Sequence, residues 1–128
     1  MFNPCIYIFI NKDLQMSSGK MAAQAVHAGI MSTLRSLHAK EWRQAPHRTV
    51  LIMEARDETH LTNIADYLEE RGILTFSIVD EGVNEIEPHV LTSVATEIIN
   101  KDDENVALTM STFRLYHDRI RFITEVDM

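Results

Sequence analysis

Apolar residues in this chain fall into short unbroken runs, separated by longer stretches where they recur every three or four positions. Ile6-Tyr7-Ile8-Phe9-Ile10 is the first run, and its near-continuous, β-branched character predicts a strand buried on both faces. Thr49 to Glu54, Ile73 to Val79 and His89 to Ala95 predict three more strands. Between the first two runs, helical spacing predicts a helix from Ser18 to about His38. Met21, Ala25, Ile30, Leu34 and Leu37 are expected to face inward, with Ala22, Val26 and Gly29 adding a surface small enough to lie close to a sheet. Asp57 is placed to cap the next helix, in which Leu61, Ile64, Ala65 and Leu68 face inward, Glu69 to Arg71 face solvent, and Gly72 provides the stop. A further short helix is expected near Val106 to Met110. Ala39 to Arg48 has no clean period and reads as a helix end plus a loop, with Trp42 as a packing anchor. Asp80 to Pro88 is a turn-rich connection, and the tail from His117 to Met128 alternates weakly, as a late edge strand could.

The order strand, helix, strand, helix, strand, strand points to an α/β fold: a three-layer sandwich with a mixed four-stranded sheet and helices on both faces. The third and fourth strands have no helix between them, so an antiparallel pairing fits there. A length of 128 residues suits one domain, 1–128, with 117–128 as an additional tail.

Charge narrows the functional classes. A net charge of −7, from 12 Lys and Arg against 19 Asp and Glu, opposes nucleic-acid binding through bulk electrostatics but leaves room for a locally basic cleft. Cys5 is the only cysteine, so no internal disulfide forms, in keeping with a reducing compartment. No apolar stretch reaches the roughly 18 residues a membrane span needs, and no export signal is evident. A cytoplasmic protein without a membrane partner is the expectation.

The chemistry concentrates in Ser17-Ser18-Gly19-Lys20-Met21-Ala22-Ala23-Gln24-Ala25-Val26-His27-Ala28. At about 100° per residue, Lys20, Gln24 and His27 share one stripe at the start of a helix that follows a strand end, where open α/β folds hold ligands. Such a stripe is ordinarily a helix's solvated face. A phosphate-cradling loop is excluded, because Leu14 and Met21 stand where it needs a Gly and a Ser or Thr. Asp80 ends the third strand just before Gly82, a place for either a turn cap or a reactive carboxylate. Thr92 lies within the fourth strand. His27, His89, Asp80 and Glu85 lack the close spacing of a metal site, and no nucleophile elbow is present.

The run Asp13-Leu14-x-Met16-x-x-Gly19-Lys20-x-Ala22-Ala23-Gln24-x-x-His27-Ala28 closely resembles the opening motif of the archaeal and eukaryotic type of peptidyl-tRNA hydrolase. Asp80-x-Gly82, Ile86-x-Pro88 and Thr92 resemble its second motif, and Phe113-Arg114-Leu115-Tyr116 its C-terminal segment, so the likeness covers about Ile6 to Tyr116. The resemblance implies a compact α/β enzyme, commonly dimeric, that hydrolyses the ester joining a peptide to tRNA. It needs neither cofactor nor metal. It also implies Lys20, Asp80 and Thr92 as catalytic residues, and Gln24, Asn84 and His27 as substrate-binding residues. Departures cluster in the second motif. Val83 replaces an arginine and Asn84 a threonine, Glu85 and Glu87 introduce carboxylates, His89 stands for a Gly, and Thr96-Glu97 for a Gly-Pro. These changes keep two alternatives open: a family relative without catalysis that acts as a binding module, and a hydrolase of another ester or amide.

Overall fold

The computed structural model describes residues 1–80 and 89–117. The elements run β1 (Pro4–Asn11), a 3-10 turn (Lys12–Leu14), α1 (Ser18–Arg35), α2 (Ala39–Gln44), β2 (Thr49–Ala55), α3 (Glu58–Glu70), β3 (Thr75–Asp80), β4 (Val90–Thr96), β5 (Ile99–Asn100) and α4 (Glu104–Met110). The sheet order is β2-β1-β4-β3, with the two-residue β5 pairing with β1. β2 lies parallel to β1, whereas β4 is antiparallel to both β1 and β3. The expected four-stranded mixed sheet is therefore present, with β5 as a short addition. The expected weakly alternating tail, His117 to Met128, lies outside the described residues beyond His117 itself.

β1 forms the centre because both of its faces are apolar. Cys5, Tyr7 and Phe9 join Leu61, Ile64 and Leu68 of α3 and Met110 of α4 in one core. Ile6, Ile8 and Ile10 join Ala28 of α1, Ile78 and Ala95 in the other, against which Trp42 of α2 packs. Burial holds the Cys5 thiol well above its ordinary value, at about 11, and therefore inert.

α3 follows its sequence pattern closely. Asp57 accepts from the His60 amide at the N-terminus. At the C-terminus, Ile73 N–H bonds Leu68 O and Gly72 N–H bonds Glu69 O, with Gly72 at φ +80°. This pair of bonds is the Schellman arrangement that glycine favours. Ile73 is committed to that cap, so β3 begins at Thr75 rather than at the expected Ile73.

α1 departs from its expected orientation. Gln24, Ala28 and Ser32 are its buried residues, while Val26, Ile30, Leu34 and Leu37 are 60%, 52%, 77% and 82% exposed. Met21 and Ala25 do pack on the core, but Ile30, Leu34 and Leu37 face outward. Polar bonds fix this rotation. Ser32 Oγ donates to Thr96 O at 2.7 Å, and Ser36 Oγ accepts from Ile98 N at 2.8 Å. The helix can approach because its inner face is small: a Cβ added at Gly29 would already touch Ile8 Cδ1 at 3.7 Å. α1 ends at Arg35, and Ala39 to Gln44 form a separate helix where a helix end and loop were expected.

Candidate active site

β1, β2 and β3 all end at one edge of the sheet, where β4 begins and where the chain enters α1. Asp80 is the last residue of β3 and is 6% exposed. Lys20 stands in the first turn of α1, whose N-cap Ser17 accepts from the Lys20 amide. A cation there opposes the helix dipole, and no acidic residue of that turn relieves it. Relief comes from β3: Lys20 Nζ lies 2.5 Å from Asp80 Oδ2, with side chains 11% and 5% exposed. Such burial requires each charge to have its partner.

Gln24, one turn further along α1, extends the group. Its Nε2 is 3.5 Å from Asp80 Oδ2, and its Oε1 accepts from Thr92 Oγ1 at 2.7 Å. The amide has one sensible orientation, since an ionised carboxylate only accepts and the hydroxyl can donate. Lys20, Asp80, Gln24 and Thr92 thus form one connected polar group at the start of α1.

Thr92 reaches Gln24 because β4 is irregular there. Ser93 pairs with Ile78 and Leu91 with Val79, which makes Thr92 the extra residue of a β-bulge. Thr92 and Ser93 consequently both face α1. Thr92 bonds Gln24, while Ser93 is paired with Ile10 and Ile78 of the α1-side core. Ser93 Oγ is fully buried and has no hydrogen-bond partner among the described residues.

His27 is exposed and takes part in none of these bonds. The line of α1 facing the sheet runs Gln24, Ala28, Ser32, and His27 is turned about 100° from Ala28. Asn84, with Val83, Glu85 and Glu87, lies outside the described residues. His89, where the resemblance places a Gly, has φ 64° and donates its N–H to Asp80 O at 2.5 Å. Among the described residues no three His, Cys, Asp or Glu gather as a metal site would require.

An α/β sandwich with a buried lysine–carboxylate pair at its strand ends defines the class: a protein able to polarise a bound group and orient water. The profile described as "Peptidyl-tRNA hydrolase PTH2" matches residues 5–116, and the chain belongs to that family. It is 33% identical over 99 residues to a peptidyl-tRNA hydrolase of Thermococcus onnurineus, covering 74% of this chain and 84% of that one. The corresponding enzyme of Haloquadratum walsbyi is 30% identical over 111 residues, covering 85% and 96%. That of Methanococcus maripaludis is 35% identical over 92 residues, covering 68% and 78%. A solved structure of a protein of unknown function from Agrobacterium tumefaciens strain C58, Atu0240, superposes with TM-score 0.62 at 13% identity, covering 91% of this chain and all of that one. That likeness is one of fold.

Proposed function

We propose that this chain hydrolyses the ester between a peptide and the 3′ end of tRNA, in the cytoplasm, releasing free tRNA. Water adds to the ester carbonyl, the acyl–oxygen bond breaks, and the products are a carboxylic acid and the ribose hydroxyl. Asp80 orients the water and takes its proton, and Lys20 stabilises the negative charge that develops on the carbonyl oxygen. Gln24 and Thr92 hold the carboxylate in place. The expectation that His27 and Asn84 contact substrate rests on the resemblance alone.

The observation that carries this reading is the 2.5 Å approach of Lys20 to Asp80 in a buried setting. Hydrolysis of an N-acetylated aminoacyl-tRNA tests it. Lys20→Ala and Asp80→Asn are expected to lower kcat by about a hundredfold or more, the usual effect of removing one such electrostatic group. Unchanged turnover in either variant overturns the reading. Substrate binding should also weaken as salt rises, through release of counterions from the phosphates; salt-independent affinity would favour a different ester.

The same reading includes a second copy of the chain. Val26, Ile30 and Leu34 expose an apolar stripe along α1, with Leu37 exposed just past its end, a surface that a soluble monomer rarely leaves uncovered. Leu34→Asp is expected to shift sedimentation from dimer to monomer. A wild-type chain that sediments as a monomer at high micromolar concentration overturns this part.

A further inference from the structure

The β1–β4 ladder stops at Ile10↔Ser93, one residue short of Thr92. Past that point a side chain continues it. Asn11, the last residue of β1 and 2% exposed, donates from Nδ2 to Leu91 O at 3.0 Å. Its other amide atom, Oδ1, accepts from the Asp13 amide at 3.1 Å, capping the 3-10 turn that leads towards α1. One buried amide therefore spans two segments. On one side is the strand residue preceding Thr92; on the other is the turn that delivers Lys20 and Gln24. Leu91 is held from the opposite direction as well, since its N–H donates to Glu58 Oε2 at 2.8 Å from the first turn of α3.

We propose that Asn11 is a positioning residue for the reaction: it sets the bulge at Thr92 in register with Gln24, and so fixes the direction of the Asp80 carboxylate. A bulge leaves its extra residue without regular ladder bonds, so the backbone of Thr92 owes its place to whatever grips its neighbours, while its hydroxyl lies within reach of both Gln24 Oε1 at 2.7 Å and Ile78 O at 3.2 Å. Leu91 is one such neighbour, and Asn11 and Glu58 grip both of its backbone polar groups. The 2.7 Å bond from Thr92 to Gln24, the shorter of the two that the hydroxyl can make, depends on that grip. The Asn11 amide bonds Leu91 O and the Asp13 N–H, so its effect passes through Leu91 and Thr92.

The proposal rests on the functional reading above, and Asn11→Asp tests it. Aspartate is nearly isosteric and still accepts from the Asp13 amide, but when ionised it cannot donate to Leu91 O. Expected is a fall in kcat of about ten- to hundredfold, as for a small misplacement of catalytic groups, with KM changed less than twofold. In a Thr92→Val background the same substitution should cost nothing further, because the bond it protects is already gone. A merely structural asparagine would give equal losses in both backgrounds. A crystal structure of Asn11→Asp should show Thr92 Oγ1 withdrawn from Gln24 Oε1 beyond hydrogen-bond distance. Retention of that contact together with unchanged kcat overturns the proposal. If the wild-type chain fails to cleave N-acetylated aminoacyl-tRNA, the functional reading falls, and the same crystal structure still decides whether Asn11 holds the bulge.

Discussion

The two long helices cover opposite faces of one sheet and obey opposite rules. α3 buries Leu61, Ile64 and Leu68 and shows its charges to solvent. α1 buries Gln24, Ala28 and Ser32 and shows Val26, Ile30 and Leu34 instead. The face under α3 is held by apolar area, and that under α1 by a core of small and apolar side chains together with close approach and hydrogen bonds. The difference shows where the candidate site lies: the inner line of α1 carries polar groups, some bonding the sheet backbone and some reaching its strand ends. At the N-terminal end of α1 those groups are Lys20 and Gln24, facing Asp80 and Thr92.

Truncation separates the two faces most strongly. Leu61→Ala, at a fully buried position, is expected to destabilise by about 2–5 kcal/mol, from lost transfer energy plus a residual cavity. Leu34→Ala, 77% exposed, should change monomer stability by less than about 0.5 kcal/mol. Urea unfolding at low protein concentration measures both, and comparable losses would abolish the contrast. Ser93→Ala should raise stability by about 1–2 kcal/mol, since it removes a buried hydroxyl that has no partner among the described residues. A loss on thermal unfolding would show that the hydroxyl is satisfied. His89→Gly should add about 1 kcal/mol by relieving a left-handed backbone that an L side chain resists.

The smallest effect is one of pH. Burial alone would raise the Glu54 carboxyl, but the hydrogen bonds from Lys12 and the His117 amide, with the charges of Lys12 and Arg114, outweigh it and lower the value from 4.5. A folded value below the unfolded one adds stability that is fully present above about 4.5 and is lost as pH falls through the folded value. Lys12→Met should flatten that part of the acid stability curve, as read by chemical denaturation between pH 3 and 6.

Most of the architecture was legible because strands buried on both faces announce themselves, as Ile6 to Ile10 do, and because the caps at Asp57 and Gly72 carry their own chemistry. The rotation of α1 was not. Helical spacing shows that Ile30, Leu34 and Leu37 share a face, but not whether a sheet or solvent meets it. Ser32 and Ser36 decided the matter through bonds to Thr96 O and Ile98 N, which only the folded chain brings near. Lys20, Gln24, Asp80 and Thr92 were readable from the motif resemblance. The bulge that aims Thr92 depends on pairing across strands, which a linear pattern does not encode. Asn11 carries no local signal beyond being a polar residue at a strand end.

Gln24→Leu puts the contrast to its most direct test, since it gives α1 the apolar inner residue that α3 would have at that place. Turnover of N-acetylated aminoacyl-tRNA should fall by about a hundredfold, while the thermal midpoint stays within a few degrees of the wild type. Full turnover in that variant would contradict the claim that the buried polar face of α1 exists for catalysis.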